Sequence, residues 1–511
     1  MPDGKEARAV RSTGDGQSRA TRMRWWALVP LSLANFMAYL DNNVTNVALP
    51  TIQRDLHLST AGLEWVVSSY LLVVAGLLLV GGRVADVYGR RRAFIIGLAV
   101  FTLSSLAAGL AGSGGMLIGA RAVQGLGAAL LMPATLAIIL ATFEDARERT
   151  TAIGIWGAIG ALALAAGPVI GGLVVQHVHW GWIFLINVPI GAITLALGLR
   201  AIRESRAELE SRRLDLPGLA TSALALFSLT YALIEGQDLG WTSAVIMAAF
   251  AVAAVALAAF LLIESRSGNP MVSLPIFRSR VFSGGTGTMM IWGFGILGIY
   301  FFTSLYLQDV LGFSPTKAGL SFVPMALCIA FFSAISDRVS ARLSAHRTVA
   351  LGLAAMVVGL LLIARLGVGA GYGSLMPGFI LFGGGAGLMN VPLTNAVMES
   401  APAAQAGIAS ALFNASREVA GLLGVTVIGA VLRSVDASSL RGGTSTAGAF
   451  LDGYHAGMWV TIGVLAAGIV LSYLALRPRA AARDAARAAE PGMPATLDAT
   501  REESGEAEPA R

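Results

Sequence analysis

The chain has 511 residues, 55% of them hydrophobic and only 13% charged, with a net charge of +6. Soluble domains carry about 25% charged residues, so a string of water-soluble domains is excluded and a multi-span membrane protein is implied. A single cysteine, Cys328, excludes a disulfide framework and a multi-cysteine metal site. The basic residues lie between apolar runs rather than in one patch, which counts against nucleic-acid binding.

Residues 1–24 are polar and hold no apolar core of a cleavable signal; they read as a disordered cytoplasmic tail. Fourteen apolar runs follow, each near the ~20 residues that cross a bilayer as a helix: 26–49, 62–81, 93–112, 115–140, 151–175, 181–199, 216–234, 241–263, 283–307, 318–336, 348–367, 374–397, 409–432 and 455–476. Residues 477–511, rich in Ala, Arg, Glu and Pro, read as a second cytoplasmic tail. A closed barrel needs alternating strands of about ten residues, and nothing in the chain alternates.

Arginine and lysine in the short loops set the orientation. With the N-terminus inside, the inner segments collect six in the tail, then Arg83, Arg90, Arg91 and Arg92, then Arg200, Arg203, Arg206, Arg212 and Arg213. Arg266, Arg278 and Arg280 follow, then Arg338, Arg342 and Arg347. The outer segments hold only Arg54, Lys317, Arg365, Arg433 and Arg441. An even number of spans then puts both ends in the cytoplasm.

An internal repeat is visible: Gly114, Gly119, Gly125, Pro133 and Thr135 match Gly373, Gly378, Gly384, Pro392 and Thr394 at one offset. Asp86 with Arg90 and Arg91 has a looser echo in Asp337 and Arg342. Duplicated halves around a midplane site are a common transporter plan. Six plus six leaves the seventh and eighth spans without counterparts.

In the first span, Asn35, Asn42 and Asn46 share one helical face, flanked by Asp41 and Thr45. An ionised Asp near the midplane costs roughly 2.5–3.5 kcal/mol on insertion scales, and such residues mark proton or ion paths; the plainer alternative is a buried, hydrogen-bonded acid. The loop from Gly81 to Arg92 carries Gly82, Asp86, Gly89, Arg90 and Arg91, a cluster able to lock two halves together on the inner side, or simple positive-inside anchoring. In the fourth span Arg121, Gln124, Ala128 and Thr135 fall on one face, and Arg121 lies too deep to reach water fully. In the fifth span Gly157, Gly160, Gly167 and Gly171 make a bare stripe beside Pro168 and Gly172. Small residues let helices approach closely in lipid, and Pro168 bends its helix.

On these four segments the chain resembles the major facilitator superfamily, in its fourteen-span drug:proton antiporter branch, over roughly residues 25–476. The stretch from Leu40 to Pro50 resembles the branch's first-span signature, with Asp41 as its acid. The loop motif fits at Gly82, Asp86, Gly89, Arg90 and Arg91 but has Val87 where a basic residue is usual. The fourth-span motif fits at Leu117, Arg121, Gln124, Gly125 and Gly127. The antiporter motif fits at Gly167, Pro168, Gly171 and Gly172, with Ala163 in place of a usual glycine.

The resemblance implies an all-α membrane protein of the major facilitator fold: two six-helix bundles with two extra central helices. The segments are the tail 1–24, a first bundle 25–200, two linker helices 201–280, a second bundle 281–476 and the tail 477–511. The expected function is proton-coupled efflux of amphipathic small molecules such as drugs or antibiotics, and not enzymatic catalysis; the alternative is a carrier for a nutrient or metabolite. Asp41 and Arg121 are expected to couple protons, and Asn35, Asn42, Asn46, Gln124, Tyr300, Tyr306, Asn390 and Asn395 to line the substrate cavity. Gly82, Asp86, Gly89, Arg90 and Arg91 are expected to form the cytoplasmic gate. Glu399 and the pair Arg417 and Glu418 stand between a local ion pair and a gating role. No metal or cofactor is expected, the proton gradient being the energy source. The partners are an amphipathic small molecule, protons and the lipid of a bacterial inner membrane, and the working unit is a monomer.

Overall fold

A computed structural model describes residues 4–206, 215–401 and 406–477, apart from positions 269 and 273. All regular structure among these residues is helical. The first helices are α1 (Gly4–Asp55), α2 (Thr60–Tyr88), α3 (Arg90–Gly109), α4 (Gly114–Thr142), α5 (Ala146–His177), α6 (Trp182–Leu185) and α7 (Asn187–Ala201). A hairpin follows, α8 (Leu216–Leu239) and α9 (Ala244–Arg266). The rest are α10 (Arg280–Leu305), α11 (Pro315–Ser321), α12 (Val323–Leu343), α13 (Ala345–Ile363), α14 (Tyr372–Glu399), α15 (Ala406–Arg441) and α16 (Thr446–Ala475). A π-helical turn, Tyr306–Val310, extends α10. Side chains at the positions before the helices fix many of the starts: Ser59, Ser113, Asp145, Asp215, Ser243 and Ser314 each accept from a first-turn N–H.

Among the described residues, thirteen spans are long and apolar enough to cross a membrane, with α6 and α7 forming one and α11 and α12 another. The first apolar run, within α1, falls short of that mark because Asn35, Asp41, Asn42, Asn43 and Asn46 interrupt it. The N-terminal tail differs from the expected disorder: α1 begins at Gly4, well ahead of the first apolar run. From Gly4 to Arg24 there is no proline, and the stretch holds several Ala and Arg, both good helix formers, so the first span's helix extends into it. The second tail, from residue 478, and part of the loop after α7 lie outside the described residues.

Packing repeats. In the first bundle α1 packs on α5 and α7, α2 on α4, and α3 on α4 and α7. In the second, α10 packs on α15 and α16, α12 on α14, and α13 on α14 and α16. Taken in chain order, the two sets of pairings are the same. Glycines allow the closest crossings: a methyl at Gly97 or Gly127 would strike backbone across α3–α4, and one at Gly352 or Gly385 would do so across α13–α14. The linker helix α8 lies against both α2 and α15, and α9 lies against α8. The apolar stretch of α9 is the least buried of all the spans.

The two bundles meet most closely at the end carrying the α1–α2 and α10–α11 turns. Here the Ser304 hydroxyl donates to the Asn46 carbonyl (2.8 Å), the Gln308 amide to the Val47 carbonyl (2.9 Å) and Thr316 to the Gly172 carbonyl (3.1 Å). Gly319 sits directly on the Pro168 carbonyl. The structure is therefore closed at that end.

Candidate functional site

Asp41 on α1 is fully buried, and two other helices, α4 and α7, supply the donors to its carboxylate. Its Oδ2 accepts from Arg121 Nη1 of α4 at 2.5 Å. Its Oδ1 accepts from the side-chain amides of Gln124 on α4 and Asn187 on α7, both at 2.8 Å. Gln124 Nε2 also donates to the Ser105 hydroxyl of α3 (2.7 Å), and its Oε1 accepts from Arg121 (2.7 Å). Arg121 spends its Nε on the Val66 carbonyl of α2 (3.3 Å), and its guanidinium lies 4.3 Å from the Tyr70 ring centroid. Such a cation–π contact is worth about 2 kcal/mol when desolvated.

The geometry explains how two charges persist in lipid. Burial of an ion pair is tolerated when the geometry is good and the remaining lone pairs are satisfied. Every described group that touches the Asp41 carboxylate is a donor.

The other expected cavity residues are scattered. Asn35 is buried and donates to the Trp156 carbonyl of α5 (3.0 Å). Asn46 donates to the Asn42 carbonyl of its own helix (3.2 Å), and Asn42 is only partly buried. Tyr300 packs at a tilt against Phe322 inside the second bundle and lines a small apolar cavity there with Phe379 and Phe382. Tyr306 is fully buried at the closed end, donating to the Gly367 carbonyl and stacked on Tyr454. Asn395 does not face the first span: it is exposed and donates to Asp337 of α12 (3.2 Å). Leu393 and Val397 on either side of it are buried, so Asn395 lies on the exposed face of α14. Asn390 is half-buried, and its carbonyl accepts from Thr394.

The inner loop forms a compact knot within the first bundle. Asp86 pairs with Arg90 at 2.9 Å, and Arg90 also reaches the Ala137 carbonyl. Gly89, at φ 122°, turns α2 into α3 with a backbone that side-chain-bearing residues avoid. A side chain there would also meet Glu204, which accepts from the Arg91 backbone N–H. Arg91 donates to the Leu199 carbonyl (2.8 Å), and Gly82 lies near Pro133. These ties join Asp86, Arg90 and Arg91 to α4, to the end of α7 and to the segment that follows it.

The glycine stripe of α5 packs mainly on α1: Gly160 on Asn35, Gly167 on Asn43 and Gly171 on Val44. Gly157 is exposed and packs on nothing nearby. The contact with the other half falls to Gly172, against Pro315, and to the Pro168 carbonyl. Arg417 and Glu418 form an ion pair at 2.7 Å on α15, and Arg417 also meets Tyr39 of α1.

Sequence reasoning missed Asn187, Ser105, Tyr70 and a second buried pair. Glu64 of α2, wholly buried, accepts from Arg433 of α15. Asn187 and Glu64 are polar residues inside apolar runs, the same signal that drew attention to Asp41.

Residues 31–425 match the family model described as Major Facilitator Superfamily. A "Multidrug resistance protein Stp" of Mycobacterium tuberculosis (strain CDC 1551 / Oshkosh) is 38% identical over 413 residues, covering 80% of this chain and 76% of that protein. The "Puromycin resistance protein pur8" of Streptomyces alboniger is 35% identical over 472 residues, covering 90% of this chain and 93% of that one. Among solved structures, the POT family transporter PepTSo aligns with a TM-score of 0.66 at 15% identity, covering 91% of this chain and 98% of that one. With the repeated bundles and the span count, these likenesses establish a multi-pass membrane transporter, not an enzyme, and the chain belongs to the Major Facilitator Superfamily.

Proposed function

We propose that the chain exports amphipathic small molecules, of the antibiotic and drug classes that its relatives are named for, in exchange for protons. The observation that supports this most is the Asp41 cluster: an acid buried in a membrane bundle, held by Arg121, Gln124 and Asn187, and touched only by donors. A proton arriving from outside neutralises Asp41 and loosens its hold on Arg121; its release to the cytoplasm restores the pair. The bundles rock between these two conditions, carrying substrate outward. The gradient is adequate for such a change, at about 2.3 kcal/mol per charge per 100 mV plus about 1.4 kcal/mol per pH unit. Asparagines beside the cluster supply hydrogen bonds to a range of polar groups. The membrane is the bacterial inner membrane, both ends lie in the cytoplasm, and the monomer is the working unit.

The test is flux in vesicles with an imposed pH gradient, using puromycin and a panel of fluorescent amphiphiles. The parent should move at least one compound only when the gradient is present. Asp41→Asn should remain in the membrane and lose gradient-driven flux, and Asp41→Glu should keep part of it. Asp41→Asn pumping at the parent rate would remove Asp41 as the coupling acid.

A further inference from the structure

We propose that Glu64 is a proton-operated catch for the outer gate, closing it as a carboxylate against Arg433 and the end of α8. The inference rests on the exporter reading above, because alternating access requires the outer seam to part.

Three bodies meet at this one carboxylate. Glu64 lies on the first bundle, little more than one turn into α2, and is wholly buried. Its Oε1 accepts from Arg433 Nη1 on α15 of the second bundle. Arg433 Nη2 in turn donates to the Leu233 and Ile234 carbonyls of the linker helix α8, at 3.0 and 2.8 Å. These carbonyls lie near the C-terminal end of α8, which carries partial negative charge and attracts cations. Beside them the Trp65 indole donates to Glu235 of α8 at 2.7 Å, fixing the linker to α2. Gly429, one turn before Arg433, lies flat against the carboxylate, and any side chain there would collide with it. The second oxygen, Oε2, is buried with no hydrogen-bond partner among the described residues.

That geometry holds only while both charges are present. A buried pair that loses one partner leaves the other charge uncompensated in a low dielectric. When the outer seam parts, Arg433 is drawn away with α15 while Trp65 holds α8 on α2, and Glu64 is left facing external water. There the carboxylate takes a proton from solvent. Neutral Glu64 offers Arg433 no counter-charge, so closing would bury the guanidinium unpaired. The gate stays open until the proton returns to external water. External acid thus prolongs the state in which Asp41, further in, is loaded from outside.

The other ionisable groups around α2 do not replace this pair. Glu235 on α8 is engaged by Trp65, and Arg121 on α4 by Asp41 of α1. Asp436 on α15 lies about one turn further out than Arg433, and Glu418 lies further in, paired with Arg417. Arg54 and Asp55 at the end of α1 are held by Pro50 and Trp180, and the charged residues of α3 are at its inner end.

The test reads gate opening rather than transport. Ser304→Cys in a Cys328→Ala background places a near-isosteric thiol in the outer seam, buried when the seam is shut. Its labelling by a membrane-impermeant maleimide, in intact cells, is normalised to a cysteine at exposed Gly369 in the outer loop, which cancels the reagent's own pH response. Normalised labelling should rise as external pH falls. Glu64→Gln should label roughly tenfold faster or more at neutral pH, because removing one buried partner shifts an equilibrium by at least that factor, and should lose the pH response. Glu64→Asp should keep the response, which separates titration from lost packing. A parent with no pH response, or a membrane-inserted Glu64→Gln that labels like the parent, overturns the proposal. Failure of the exporter reading would appear instead as absent flux in the parent or as normal pumping by Asp41→Asn.

Discussion

The buried Asp41–Arg121 pair makes a prediction in which two lesions do less harm than one. Asp41→Asn removes the counter-charge of a guanidinium with no exposed surface, and breaking such a pair from one side costs about 3–5 kcal/mol. The loss should fall at the low end of that range. Arg121 would keep the Val66 carbonyl, Gln124 Oε1 and the Tyr70 ring. Arg121→Leu should fall at the high end. It leaves Asp41 with two amide donors on Oδ1 and nothing on Oδ2. The double variant Asp41→Asn/Arg121→Leu buries no charge at all, and replacing a whole buried pair is often neutral or stabilising by about 1–4 kcal/mol. It should therefore unfold later than either single variant while transporting nothing. Thermal unfolding of the four proteins in one detergent, followed by tryptophan fluorescence, gives the ranking, and vesicle flux gives the activity. A double variant as unstable as the sum of the singles would refute the reasoning, since the two residues would then act through separate contacts.

Asn187→Leu strips one donor from Asp41 and should cost about 1–3 kcal/mol of stability, with transport reduced rather than abolished, as checked by unfolding and flux. Gly319→Leu would drive a side chain into the Pro168 carbonyl and hold the outer seam apart; flux should vanish, membrane levels should persist, and Ser304→Cys should label quickly from outside. For topology, a cysteine replacing Gly369 should react with an impermeant reagent on intact cells, and one replacing Ser205 should not; labelling at Ser205 would invert the orientation.

Much of the fold was legible because lipid leaves few options. Runs of about 20 apolar residues read as spanning helices, and duplication read through Gly, Pro and Thr at one offset predicts matching bundles. Asp41 and Arg121 were legible for a related reason: a charge inside an apolar run has few cheap explanations. Their partners were harder to see. Asn187 and Glu64 sit a few residues inside the ends of their runs, where polar groups pass for interfacial ones, and Arg433 passes for a loop cation. Which charge meets which depends on helix rotation and crossing, and no single run contains that information. The tyrosines show the same limit. Tyr300 and Tyr306 are aromatic groups on a cavity-forming helix, but only the packing of Phe322 and Tyr454 shows that both rings are occupied within the second bundle.

The seat of α8 also gives the molecule two unlike sides within the plane of the bilayer. The interface between the bundles has two long edges, one bordered by α2 and α15 and the other by α5 with α11 and α12. Helix α8 lies across the first, tied there by Arg433 and Trp65; among the described helices none lies across the second. A greasy solute diffusing sideways in the membrane therefore meets a wall on one flank and a bare joint on the other. Within the plane of the bilayer the joint between the bundles is thus sheathed on the α2–α15 flank and, among the described helices, unsheathed on the α5–α12 flank.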